Sequence, residues 1–178
     1  MRMLVRVLIT AAVLLLIATA AAVLYIRQTG LRGQPQPGAL ETRVARTLRS
    51  LAVPADIKAR RLPEEAQTYD AFWAGMEHYA RYCAICHAND GSGQGTPLGS
   101  GLFPKPPDLR AAATQELTDG ELFYIIDNGV RFTGMPAFGT GESTPEGDRQ
   151  LWQLVQFVRR LPRITPDELA TMEGMNVL

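Results

Sequence analysis

Apolar positions change their period several times along the chain. From Val7 to Ile26 they run with almost no interruption and no charge (VLITAAVLLLIATAAAVLYI). As a helix rising 1.5 Å per residue, such a run spans about 30 Å, the thickness of a bilayer core. This predicts a membrane anchor ending at residue 26. The stretch is longer than the apolar part of an ordinary cleaved leader. Ala18-Thr19-Ala20 and Ala20-Ala21-Ala22 are nevertheless small-residue patterns at which a leader could be cut. Arg2 and Arg6 favour a cytoplasmic N-terminus, while Arg27 and Arg32 beyond the run reduce the charge asymmetry.

Residues 27–69 read as a linker. Gly30, Gly33, Pro35, Pro37 and Gly38 break any regular pattern at its start. Leu40, Val44, Leu48 and Leu51 then recur at helical spacing, with Arg43, Arg46 and Arg49 on another face, until Pro54. Packing of this short helix on the rest of the chain is favoured over a position on the membrane surface, because it lacks Trp and Phe. Residues 55–69 look extended and polar.

Helical signals dominate from residue 70 onward, and the expected class is all-α. A helix starting near Tyr69 or Asp70 should lead into Tyr82. Thr118 with Glu121 forms a capping-box pattern, with Gly129 as its stop, and Leu122, Phe123, Ile125 and Ile126 give that helix an apolar face. Leu151, Leu154, Val155, Val158 and Leu161 mark a helix from about Glu146 that Pro162 ends. Thr165-Pro166-Asp167-Glu168 opens a short final helix. The expected organisation is an anchor (1–26), a linker (27–69), a helical domain (70–162) and a helical tail (163–178).

Charge divides the chain in the same way. Residues 1–69 hold 10 basic and 4 acidic side chains, and residues 70–178 hold 8 and 14. The acidic part shows no basic patch with interleaved aromatics, which argues against nucleic acid. Its acidic surface either serves solubility or steers the domain toward a basic partner protein.

Chemistry is concentrated at Cys83-Ala84-Ile85-Cys86-His87, which contains both cysteines of the chain. A C-x-x-C-H run is the attachment signal for a c-type haem: two sulfurs can reach the two vinyl groups, and the histidine faces the iron. A thioredoxin-like thiol pair would need a strand–helix context that is missing here. A zinc site would need His78 as a fourth ligand, and His78 lies five residues before Cys83. Met135, inside Gly134-Met135-Pro136-Ala137-Phe138-Gly139, is the one methionine of six in a constrained loop between two helices, and is the candidate second iron ligand. Residues 88–105 contain Gly91, Gly93, Gly95, Gly99 and Gly101 and read as a surface loop; with no preceding strand they are not a phosphate loop.

Together these residues resemble class I cytochrome c of the small bacterial monohaem type, over roughly residues 70–161. The resemblance rests on Gly75, Tyr79, Cys83, Cys86 and His87, on Pro106-Pro107-Asp108-Leu109, on Gly134-Met135-Pro136, and on Leu154 with Phe157. It implies a cytochrome c fold, with first and last helices crossing beside one covalent haem c. It implies that Pro107 offers its carbonyl to the His87 ring, that Leu109 packs on the haem, and that His87 and Met135 hold the iron. The function it implies is single-electron transfer between respiratory partners, without catalytic residues. The alternative is an electron-entry subunit of a membrane-bound dehydrogenase or terminal oxidase. The expected location is the cytoplasmic membrane, with the haem domain on the periplasmic side.

Overall fold

A computed structural model describes residues 2–30, 36–141 and 144–177. The chain forms two compact units, Met1–Gly33 and Gln34–Leu178. Among the described residues every regular element is helical, as the pattern predicts. Of the linker positions, 31–35, including Arg32, Gly33 and Pro35, lie outside the described residues.

The first unit is a single helix, α1 (Arg2–Thr29). Its segment Arg2–Gln28 is long and apolar enough to cross a membrane.

In the second unit, α2 (Ala39–Ala52) opens with the Gly38 N–H donating to Glu41 Oε2 and ends before the buried Val53. Its apolar side chains are not packed, contrary to the favoured expectation: none of its residues is buried. Residues 55–69 are not simply extended either. They form α3 (Ala55–Lys58) and a 3₁₀ turn at Glu64–Ala66. The segment is laid across two later helices, α8 (Asp119–Asn128) and α9 (Pro145–Arg160), which follow α4 (Tyr69–Tyr82), α5 (Ala84–His87), α6 (Pro97–Gly101) and α7 (Ala112–Gln115). The Leu62 N–H donates to Asp119 Oδ2 at 3.1 Å. The Arg60 guanidinium sits 4.4 Å from the Phe123 ring centre and 5.0 Å from that of Trp152, and pairs with Asp148 at 3.6 Å. Gly120 lets the Ile57 carbonyl approach α8, because a Cβ there would overlap that oxygen. Elements of three or four residues carry too little periodicity to be read from sequence, so this brace emerges only from its contacts.

The core lies where α4 crosses α9. Thr68 caps α4 by accepting from the Ala71 N–H, and Ala71, Gly75, Met76, Tyr79 and Ala80 form its buried face. On α9 that face is Leu151, Trp152, Leu154, Val155, Phe157 and Val158. Tyr79 and Phe157 stack with centroids 4.9 Å apart, and Phe123 of α8 meets Trp152 at 4.5 Å. Burial of each large side chain contributes about 1.5–3 kcal/mol. Gly75 sets the distance between the helices: a Cβ there would overlap the Gln153 carbonyl and lie 3.3 Å from Phe157 Cβ. Gly75→Ala should therefore lower stability by about 1–3 kcal/mol, the usual cost of overpacking. Chemical denaturation measures it, and an unchanged midpoint would show that the crossing is loose.

The capped helices appear where the sequence places them. The Glu121 N–H donates to Thr118 Oγ1 (3.1 Å) and the Thr118 N–H to Glu121 Oε2 (2.9 Å). α9 begins at Pro145 behind its cap Thr144 and passes at Leu161 into a 3₁₀ turn. Arg159 ties it to the α7–α8 connection, donating to Asp119 Oδ1 (2.9 Å) and to the Gln115 carbonyl (2.7 Å). The last helix, α10 (Pro166–Glu173), has a capping box from Thr165 and Glu168, and it places Met172 fully inside the core.

Candidate functional site

Cys83 closes α4, its N–H donating to the Tyr79 carbonyl at 2.8 Å, and starts α5. The His87 N–H returns to the Cys83 carbonyl at 2.9 Å. One helical turn therefore carries Cys83, Cys86 and His87 at positions i, i+3 and i+4, which puts the two sulfurs and the imidazole on a common face. Ala88 leaves the helix with φ of 60°, and its carbonyl accepts from the Tyr79 hydroxyl at 3.0 Å. This bond explains why position 79 is a tyrosine. Tyr79→Phe should cost about 0.5–1.5 kcal/mol, read as a lower thermal midpoint with the same visible spectrum. An unchanged midpoint would show that the bond contributes nothing to stability.

The glycine-rich segment 88–105 is more than a surface loop. It folds back on the motif and contains α6, whose cap Thr96 also donates to the Cys86 carbonyl at 3.2 Å. The Gly93 N–H donates to the His87 carbonyl at 2.8 Å, and a Cβ on Gly93 would sit 3.1 Å from the Pro107 carbonyl oxygen. Gly91 and Gly93 have φ of 76° and 67°, a region that glycine enters without strain. The signal for α6 was in the sequence as Thr96-Pro97, a cap followed by proline at the first turn. The contacts of the glycines were not.

Pro107 is brought to His87. Burial makes the imidazole harder to protonate, and the nearby Pro107 carbonyl acts in the opposite sense. His87 Nδ1 is buried, and the approach falls short of full hydrogen-bond geometry. Pro107 is therefore a neighbour of the ring in this structure, without a hydrogen bond to it. Arg110 fastens the Pro107 strand. It donates to Asp108 Oδ1 (2.9 Å) and Oδ2 (3.0 Å) and to Asp90 Oδ2 (2.8 Å), while the Leu109 N–H donates to the Gly91 carbonyl (2.8 Å). The Arg110 guanidinium accordingly holds the Asp108 carboxyl below its usual range.

Met135 stands in the α8–α9 connection. Its N–H donates to Thr133 Oγ1 (3.1 Å), and its carbonyl accepts from the Val130 N–H (3.1 Å). The Phe138 N–H reaches the Ile126 carbonyl at 3.0 Å. Gly129 (φ 65°) lies so close that a Cβ would stand 2.6 Å from the Ala137 nitrogen. Gly134 packs on the Leu102 side chain just beyond α6, and Gly99 of α6 packs on the Cys86 carbonyl. The methionine loop and the cysteine turn are thus joined through α6. Cys83, Leu109, Met135 and Phe138 each pack on the core while staying partly uncovered.

The donor set discriminates between the chemistries considered from sequence. Burial, with Cys86 adding to it, pushes the Cys83 thiol up to about 12, and burial also raises that of Cys86. Reactive redox cysteines require the opposite shift. Among the described residues no group of three or more His, Cys, Asp or Glu side chains could hold a metal ion. His78 instead packs its ring on Tyr82 at 5.0 Å. Burial thus shifts both thiols away from the reactive thiolate, and among the described residues those weighed for zinc do not assemble. A half-buried histidine with its Nδ1 covered, beside two cysteines and half-covered apolar side chains, fits a haem.

An all-helical domain built around this turn is a c-type cytochrome, an electron-transfer module that carries covalent haem c. The family model described as cytochrome c oxidase, cbb3-type, subunit III matches residues 70–158, and the chain belongs to this family. No curated protein matches it.

Proposed function

We propose that the chain is a membrane-anchored monohaem cytochrome that relays single electrons between respiratory proteins. Cys83 and Cys86 carry the thioether bonds, His87 and Met135 are the axial ligands, the Pro107 carbonyl orients the His87 ring, and Leu109 packs against the haem face. Haem c, when bound, supplies a one-electron Fe(III)/Fe(II) couple. The protein's part is to hold the imidazole and thioether in place and to keep water from the iron, and no catalytic residue is needed. The observation that carries the reading is the single turn presenting Cys83, Cys86 and His87, with the Pro107 segment clamped beside the ring by Arg110.

With α1 as a single-pass anchor, the haem domain lies on the outer, periplasmic side of the cytoplasmic membrane. Fourteen acidic against eight basic side chains in residues 70–178 suit redox partners with basic docking surfaces. The test is a visible spectrum and redox titration of the full-length protein in detergent. A six-coordinate low-spin haem c that takes up no carbon monoxide when reduced is expected. Stoichiometric zinc without haem would end the proposal.

The family's own description favours a second reading, an electron-entry subunit of a terminal oxidase. A complex with oxidase activity that survives purification selects it. A monodisperse cytochrome free of other subunits selects the tethered carrier.

A further inference from the structure

α2 is turned inside out. At 100° per residue, Leu40, Val44, Leu48 and Leu51 fall within an arc of about 80°. They are 75%, 48%, 61% and 77% exposed. Thr42 and Arg49, on the opposite side, are the residues of the helix that are partly covered. An amphipathic helix that serves only its own domain puts its apolar stripe inward. This one presents polar groups to the protein and aliphatic groups to the outside.

The helix is also fastened in that orientation. Val53 at its end is buried. Lys58 Nζ of α3 donates to the Ser50 carbonyl and, at 3.2 Å, to its hydroxyl, and it pairs with Glu121 of α8 at 3.7 Å. The apolar stripe is therefore held away from the core by contacts that continue into the haem domain.

Charge identifies what covers it. Residues 36–61 contain six basic side chains (Arg43, Arg46, Arg49, Lys58, Arg60 and Arg61) against two acidic ones. Glu41, the one carboxylate of α2, accepts from the Gly38 N–H. The segment is thus net positive, with Arg43 about 60° from the Leu40 edge of the stripe, Arg46 and Arg49 on the far side of the helix, and Lys58 and Arg60 paired with Glu121 and Asp148. Aliphatic side chains with Arg43 near one edge, in a net positive segment, match an anionic phospholipid surface, with acyl chains below and phosphates at the rim. The nine residues separating α1 from α2 reach at most about 30 Å, so an anchored α1 keeps α2 within range of the headgroups.

We propose that α2 lies flat on an anionic phospholipid surface, with Leu40, Val44, Leu48 and Leu51 inserted, and that through Val53 and Lys58 it fixes the orientation of the haem domain to the membrane. The proximity argument rests on the reading of α1 as an anchor; the stripe and its charges do not. The haem domain is then oriented at the surface and does not swing on a free tether.

The test uses the full-length, haem-loaded protein with a nitroxide on Leu48→Cys or, in a separate sample, on Arg46→Cys. Both native cysteines are held as thioethers, so only the introduced thiol reacts. The protein is reconstituted into phosphatidylcholine vesicles with and without phosphatidylglycerol, and label access is read with oxygen and with a water-soluble nickel chelate. With phosphatidylglycerol, the oxygen-to-nickel ratio at position 48 should rise several-fold over that at position 46, and without it the two should converge. Equal nickel access at both positions in anionic vesicles would overturn the proposal. Equal shielding of position 48 in phosphatidylcholine alone would overturn the recognition of anionic lipid. Spin–spin broadening in place of lipid contact would assign the stripe to a second copy and overturn it too. Flotation with phosphatidylcholine vesicles tests the anchor separately. A chain that floats but leaves position 48 exposed keeps the anchor and loses the proposal. A chain that floats only with anionic vesicles and shields position 48 keeps the proposal and loses the anchor.

Discussion

Replacing Cys83 and Cys86 together by alanine is expected to remove covalent haem completely. Intact-mass measurement of the exported double variant should show the bare polypeptide, and the visible absorption should vanish after denaturing extraction. The expectation rests on the local backbone. Cys83 both ends α4 and begins the turn of α5, so its sulfur stands at a fixed offset from that of Cys86 and from the His87 ring. Alanine is compatible with this helical turn, so the backbone geometry survives and only the thioether bonds are lost. The stability supplied by a tightly held ligand goes with them. Several side chains at the site, including Cys83, Leu109, Met135 and Phe138, remain partly uncovered, so the variant should also unfold at lower temperature than the loaded protein. A haem-sized mass adduct persisting in the double variant would mean that attachment occurs elsewhere in the chain.

The second large effect is expected from Met135→Ala. Haem should stay attached, the reduction potential should fall by roughly 0.1–0.3 V, a part of the about 0.8 V over which axial ligands tune a haem, and the reduced protein should begin to bind carbon monoxide. A thioether favours reduced iron, so its removal favours the oxidised form. The structure makes this substitution informative because the loop has backbone contacts that do not involve the methionine side chain. Its backbone is held by Thr133, Val130 and Ile126 and by the close approach at Gly129. Shortening the side chain therefore removes the proposed ligand while leaving these backbone bonds available. A potential and a ligand-field spectrum identical to those of the parent protein would exclude Met135 from the iron.

Legibility in the sequence followed the length scale of each cause. Thr118 with Glu121 and Thr165 with Glu168 are capping boxes within four residues, and their helices appear where expected. The cysteine turn is five residues long and declares its chemistry by spacing. Gly75 and Phe157 are far apart in sequence, yet each sits in a periodic pattern, and their helices cross as the family resemblance implies. Residues 55–69 depart from the extended, polar segment their composition suggests because the cause is distant: Arg60 is held by Phe123, Trp152 and Asp148, and Leu62 by Asp119. The glycines of 88–105 suggested an exposed loop, whereas Gly93 serves the close approach of the Pro106 and Pro107 carbonyls. Trp152 was missing from the expected apolar face of its helix and is buried at the centre of the core.

By itself, then, the sequence determined the helical class, the attachment motif and the apolar first helix, because each depends on neighbours within a few turns. Tertiary structure alone decided three other matters. It fastened the Pro107 segment beside His87 through Arg110, it linked the Met135 loop to the cysteine turn through α6, and it turned the apolar stripe of α2 outward. The periodicity of α2 was plain, but a period states only that two faces differ. Which face meets the protein is set by Val53, Lys58 and Glu121, residues outside the helix, and no pattern within it contains that information.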